Sequence, residues 1–252
     1  MKPYHTIAIQ DCGEALVPIP LDRFGAVQPH PYQALGAPYG GQSPYGLRVG
    51  VLAALEVAQG RLQRQYRGWR IQIFDAFRPV EVQKFMIEHT LQTLLRERQL
   101  QPANLSVSQR ETLMAEVLQF WAWPSEDPAT PPPHSTGAAL DVTLVDNSGQ
   151  PVAMGSPIDE VSSRSFPDFY AEGQTEEQRQ FHTHRTALHQ AMQAAGFRRH
   201  PQEWWHFSLG DQLWAWLQRQ ETGDRTLVAR YGRVQLDSIS GLGHRNSALV
   251  KG

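Results

Sequence analysis

Three short segments set ionisable side chains among glycine, proline and aromatic residues, where an unpaired charge is costly. The first is Pro133-His134-Ser135-Thr136-Gly137-Ala138-Ala139-Leu140-Asp141. On one regular strand, the odd separation of His134 and Asp141 would send them to opposite faces. They converge only if the chain bends between them. Gly137 permits a bend, and Pro133 keeps His134 off the strand. Asp141 lies in an apolar run and needs a partner there, of which a metal ion is one. The second segment is Glu203-Trp204-Trp205-His206-Phe207, in which a carboxylate and an imidazole sit in a sequence otherwise suited to a core strand. The third is Asp75-Ala76-Phe77-Arg78-Pro79, at a strand-to-helix junction. There an Arg can present its planar fork to a carboxylate or a developing oxyanion.

Together these segments hold what metal-assisted hydrolysis requires. Nitrogen and oxygen ligands leave an open position for water, and a base stands within reach of that water. His134, Asp141 and His206 can be the ligands, Glu203 the base and Arg78 the cation. Taken singly, each has a plainer reading. His134 reads as a loop histidine, Asp141 as a cap or ion-pair member, Glu203 and His206 as an edge-strand pair, and Arg78 as a partner of Asp75. Spacing alone leaves both sets of readings open. His182, His184 and His189 fall on a polar helix where an i,i+2 pair shares no face, so they read as surface histidines. Arg198-Arg199-His200 reads as a small solvated basic loop, and Trp214 with Trp216 as packing.

These residues need elements to hold them. Periodicity predicts helices over 47–66, from Pro79 to about Leu95, over 106–121, 176–195 and 213–220. Within the first, Val51, Leu52, Leu55, Val57 and Leu62 can share a broad face. Ser108 and Glu111 resemble a capping box for the third, and Gly196 a C-cap for the fourth. Residues 69–74, 138–145 and 204–209 read as strands. Residues 17–46 read as extended loop wrapping a core, and 124–133 as a complete break. Residues 226–236 read as strands or a hairpin, and 237–252 as a polar tail. Helices and strands mix without regular alternation, which favours α+β over a doubly wound parallel sheet.

The length of 252 residues and the 40% hydrophobic fraction suit an ordinary globular protein with a sizeable core. A net charge of -2 argues against a nucleic-acid partner, which needs clustered positive charge. No apolar run approaches membrane-spanning length. Cys12 is the only cysteine, so an internal disulfide and a Cys-based structural zinc site are both excluded. Any metal must be held by His and carboxylates. Residues 1–16 lack the basic start, apolar run and small-residue cleavage site of a secretory signal, so the expectation is a cytoplasmic protein. Nothing in the sequence sets an oligomeric state.

Five segments in order resemble the D-alanyl-D-alanine dipeptidases, the VanX-like branch of the zinc D,D-peptidases of peptidase family M15. They are Tyr45-Gly46-Leu47-Arg48, Asp75–Pro79, His134–Asp141, Met154-Gly155-Ser156 with Asp159, and Glu203-Trp204-Trp205-His206. The resemblance spans roughly residues 30–220. It implies an α+β, hedgehog/D,D-peptidase-like fold in which a central antiparallel sheet flanked by helices carries the site. It implies one catalytic domain over 1–252, with 221–252 as a C-terminal extension. It implies one zinc ion on His134, Asp141 and His206, Glu203 as acid/base, and Arg78 as the transition-state cation. The implied substrate is a small D,D-dipeptide, with Asp159, Ser135 and Tyr45 as candidate contacts and Asp159 meeting the ammonium. A carboxypeptidase or endopeptidase on larger wall peptides, or a non-catalytic zinc module, would keep the same metal site. The family usually has a small polar residue two before the first His, where this chain has Pro132. Relatives often carry Asp where this chain has Ala153.

Overall fold

The computed structural model describes residues 2–235. The N-terminal part supplies β1 (Leu16–Pro18), β2 (Gly25–Ala26), the short α1 (Pro31–Ala34) and β3 (Gly46–Arg48). The stretch expected to be extended loop thus contains four short elements. Then come α2 (Val49–Gln65), β4 (Arg70–Asp75), α3 (Val80–Glu97) and α4 (Val107–Phe120). The last part holds β5 (Ala139–Val145), α5 (Glu176–Gln193), β6 (Arg198–Arg199), β7 (His206–Ser208) and α6 (Gln212–Thr222).

Five strands form one sheet in the order β2-β4-β5-β7-β6, and β1 pairs with β3 in a separate ribbon. The sheet is antiparallel except at its edge, where β2 runs parallel to β4. Strand alternation divides the residues of β5. Leu140, Val142 and Leu144 join Ile71, Ile73 and Phe207 in a core cluster with Val51 and Leu55 of α2 and Leu188 and Met192 of α5. The opposite face meets a second cluster, built from Val82 and Met86 of α3, Val117 of α4, Trp121 and Tyr32. The site lies on this second face.

Several expectations shift at the ends of elements. Leu47 and Arg48 belong to β3 rather than α2, and Val57 is exposed, so the buried face of α2 runs through Val51, Leu55, Ala58 and Leu62. Pro79 is the N-cap of α3, not its first helical residue. The capping box of α4 is Ser106 with Gln109, because extended Ser106 can accept the Gln109 N–H while Ser108 already lies inside the first turn. Thr175 and Gln178 form a second box on α5, and Gly196 closes that segment at φ 95. Trp204 and Trp205 precede β7 as buried loop residues. Residues 226–235 form no hairpin; only an isolated bridge joins Ile9 to Ala229. Ala229 and Tyr231 are nonetheless buried, and the Val234 N–H donates to the Ser135 carbonyl, so this stretch folds back onto the body. The expected tail 237–252 lies outside the described residues.

The basic loop also differs. Arg198 and Arg199 form β6, Arg198 pairs with Glu221, and the turn that follows carries His200 inward. His182, His184 and His189 are half-buried rather than on open surface, because α5 packs along the sheet. Burial first, then the charge of Arg199, pulls His189 down to about 4. Among the described residues, none of the three joins a group able to hold a metal. No helix among them is long and apolar enough to cross a membrane.

Candidate active site

Sheet register creates the centre of the site. Asp75 stands opposite Asp141, and Asp141 opposite His206, on three adjacent strands. Ile73 and Asp75 would share a face on a regular strand, yet Ile73 points into the core. A register irregularity between them turns Asp75 to the face of Asp141, the re-aiming that a bulge provides.

His134 arrives from outside the sheet. Pro133–Thr136 form a 3-10 turn that ends at Gly137, whose φ of 69 lies in the left-handed region. The left-handed φ is what requires glycine there; a Cβ would also fall 2.6 Å from Leu16 Cδ1, a contact that side chain could yield. This is the bend that lets His134 and Asp141 converge. The His134 Nδ1–H donates to the Ala76 carbonyl at 2.8 Å, which leaves the Nε2 lone pair facing the strands.

Three acceptors then meet. His134 Nε2 lies 3.2 Å from His206 Nδ1 and 3.3 Å from Asp141 Oδ2, and His206 Nδ1 lies 3.0 Å from Asp141 Oδ1. The hydroxyl of Ser208 donates to Asp211 at 2.8 Å, so its oxygen can accept the Nε2–H of His206 at 3.3 Å. That assignment leaves His206 Nδ1 without a proton. Burial lowers the pKa of His206 and keeps the ring neutral, with Asp141 opposing the shift. Two imidazole nitrogens and a carboxylate therefore converge on one point, an arrangement suited to a cation. A tetrahedral zinc ion with bonds of ~2.0–2.2 Å would hold its ligands roughly 3.3–3.5 Å apart, close to what is seen. The residues present fit the metal, and they are the one group of this kind among the described residues.

Around this triangle the charges are strongly perturbed. Burial would raise Asp141, but the neighbouring His134 and His206 rings outweigh it and hold the carboxyl well below its usual range. Glu203 stands just outside the triangle, with Oε2 3.8 Å from His206 Nδ1. Burial first, then the charges of Asp141 and Asp159, push its carboxyl well above the usual range. That is the condition of a base poised for proton transfer. Arg78 donates from Nε to Asp75 at 2.8 Å, from Nη1 to Gln83 at 2.9 Å, and from Nη2 to Tyr32 at 3.2 Å and Asp141 at 3.1 Å. Four of its five N–H groups are engaged, leaving one on Nη1. Its expected pairing with Asp75 is thus present, together with a wider network. Asp75 also receives His30 Nε2 at 3.1 Å and the Tyr39 hydroxyl at 3.2 Å.

His134, Asp141, His206, Glu203, Arg78 and Asp159 all line one pocket, partly open to solvent. Asp159 accepts the Tyr32 hydroxyl at 2.7 Å. Ser135 and Tyr45 do not line it. The Ser135 hydroxyl turns back to the Pro132 carbonyl at 2.7 Å, and Ser135 borders a different cavity. The Tyr45 hydroxyl donates to the Val27 carbonyl while its ring packs on His30. Sequence reasoning missed His200, Lys2, Tyr4, Gln83 and Trp121, which also line the pocket. His200 accepts the Gln202 N–H on Nδ1 at 3.2 Å, and that atom lies 3.6 Å from Glu203. Its spacing of three before Glu203 was the one available hint. The buried indole N–H of Trp121 has no partner among the described residues.

Comparison with known proteins supplies a family. The Peptidase_M15 family, described as D-ala-D-ala dipeptidase, matches residues 25–223. A D-alanyl-D-alanine dipeptidase of Synechocystis sp. is 49% identical over 241 residues, covering 93% of this chain and 98% of that protein. One of Enterococcus faecalis is 35% identical over 80 residues, or 31% of this chain and 37% of that protein. The solved LdcB LD-carboxypeptidase aligns with 88% of this chain and 77% of its own, at 15% identity and a TM-score of 0.42.

Proposed function

The chain belongs to the Peptidase_M15 family of D-ala-D-ala dipeptidases, and from that premise we propose that it hydrolyses D-alanyl-D-alanine with one zinc ion on His134, Asp141 and His206. The observation that carries this reading is the convergence of His134 Nε2, His206 Nδ1 and the Asp141 carboxylate within 3.3 Å of one another. Bound there, zinc would polarise the scissile carbonyl and lower the pKa of the attacking water toward neutrality. Glu203, beside the triangle but outside it, takes the proton of that water and passes it to the leaving amine. Arg78 stabilises the oxyanion with the N–H that its protein partners leave over. Ionised Asp159 meets the substrate ammonium. A site that meets both charged ends of a dipeptide would exclude longer peptides, whose extra residues would leave those charges unmatched.

The test is release of free D-alanine from D-Ala-D-Ala by zinc-loaded protein, with and without chelator, beside D-Ala-D-Ala-D-Ala and L-Ala-L-Ala. Chelator-sensitive cleavage of the D,D-dipeptide alone is expected. Cleavage of the longer peptide would make the protein a carboxypeptidase, and inertness toward all three would leave a zinc-binding module. Glu203→Gln should lower kcat by about 100-fold or more while retaining zinc. Near-wild-type turnover in that variant would overturn the role of Glu203.

A further inference from the structure

The N-terminal segment reaches the pocket on the side of Glu203. Residues Pro3–Thr6 form a 3-10 turn packed on α6, with Tyr4 buried, and both Tyr4 and the half-buried Lys2 line the pocket. Lys2 and Glu203 line this same pocket. Burial lowers the pKa of the Lys2 ammonium, with Glu203 the only partner that opposes the shift. Among the described residues, the ammonium has no ion pair within reach. The other strong cation of the pocket, Arg78, already has four of its five N–H groups engaged.

The proposed reaction, on which this inference rests, brings the leaving nitrogen to Glu203. In a dipeptide that nitrogen shares its Cα with the free carboxylate. Bonds of about 1.46 and 1.52 Å then place the carboxylate carbon only about 2.5 Å from the nitrogen. A substrate protonated by Glu203 must therefore set an anion next to Glu203, where it needs a positive partner. We propose that Lys2 reads the free α-carboxylate of the leaving residue and so restricts cleavage to the last peptide bond of a substrate. A chain extended or amidated at that end offers Lys2 no charge.

The experiment compares D-Ala-D-Ala with D-alanyl-D-alaninamide on zinc-loaded wild type, Lys2→Met and Lys2→Arg, reading release of D-alanine or D-alaninamide. Wild type should prefer the acid. Lys2→Met should lose about 10- to 100-fold in kcat/KM on the acid, chiefly through KM, as expected for a lost charge-assisted hydrogen bond. It should change little on the amide, and Lys2→Arg should restore most of the preference. An active Lys2→Met enzyme with the wild-type acid-to-amide ratio would overturn the assignment, as would equal losses on both substrates, the mark of a structural role. Wild type inert toward both would remove the dipeptidase reading and this assignment together.

Discussion

Asp159 adopts φ 64, in the left-handed region, and points its carboxylate at the Tyr32 hydroxyl. Burial first, then the charge of Asp141, push its carboxyl up to about 7. If the ionised form holds the substrate ammonium, KM for D-Ala-D-Ala should fall as pH rises through about 7. Asp159→Asn should raise KM and flatten that limb, which steady-state kinetics between pH 5 and 9 will check. Stability has the opposite sign. An unfolded Asp loses its proton near ~4, whereas the folded chain keeps it to about 7. The folded state binds more protons across that window, so this group's contribution to stability declines as pH rises through it. Asp159 was visible in the sequence only through the motif around Met154-Gly155. Nothing in its spacing announced Tyr32 as its partner, more than a hundred residues earlier.

A helix cap is linked to the triangle of His134, Asp141 and His206. Asp211 caps α6 through Trp214 N–H at 2.8 Å, and its other oxygen accepts the Ser208 hydroxyl that faces His206 Nε2. Asp211→Ala should cost about 1 kcal/mol through the lost cap. It should also weaken zinc binding about 10- to 100-fold, because the His206 ring loses the chain of bonds that orients it. Thermal unfolding and chelator competition will separate the two effects, and Asp211→Asn should keep the cap. The α6 helix itself was legible from its amphipathic pattern. Its link to His206 was not, because Ser208 and Asp211 meet only after the chain turns out of β7.

Arg48 ties distant parts of the molecule together. Its buried guanidinium donates to the carbonyls of Thr136 at 2.8 Å, Gly232 at 3.0 Å and Glu14, and pairs with Asp11 at 3.2 Å. The N-terminal segment, the His134 turn and the 229–235 stretch thus share one cation. Arg48→Met would leave the carbonyls of the buried Thr136 and Gly232 without their partner. A buried acceptor left unsatisfied costs about 1–3 kcal/mol, so thermal or denaturant unfolding should show a loss of at least that order. Lys in its place should rescue little, since a single ammonium cannot span the same fork of acceptors.

The sequence by itself determined the chemistry. Ligand-type residues in apolar runs, a glycine where a bend was needed, and an Arg at a strand-to-helix junction restricted what the site could do. Periodicity likewise determined the main helices and strands, because both are local properties of the chain. The tertiary structure decided which of these residues meet. The turn of Asp75 onto the Asp141 face depends on a bulge that no local pattern announces. The inward course of His200 depends on β6 pairing with β7, and the arrival of Lys2 in the pocket depends on the N-terminal turn packing against α6. Ser135 and Tyr45 moved away from the pocket for the same reason. A side chain's neighbours are set by long-range pairing and packing, which sequence spacing does not encode.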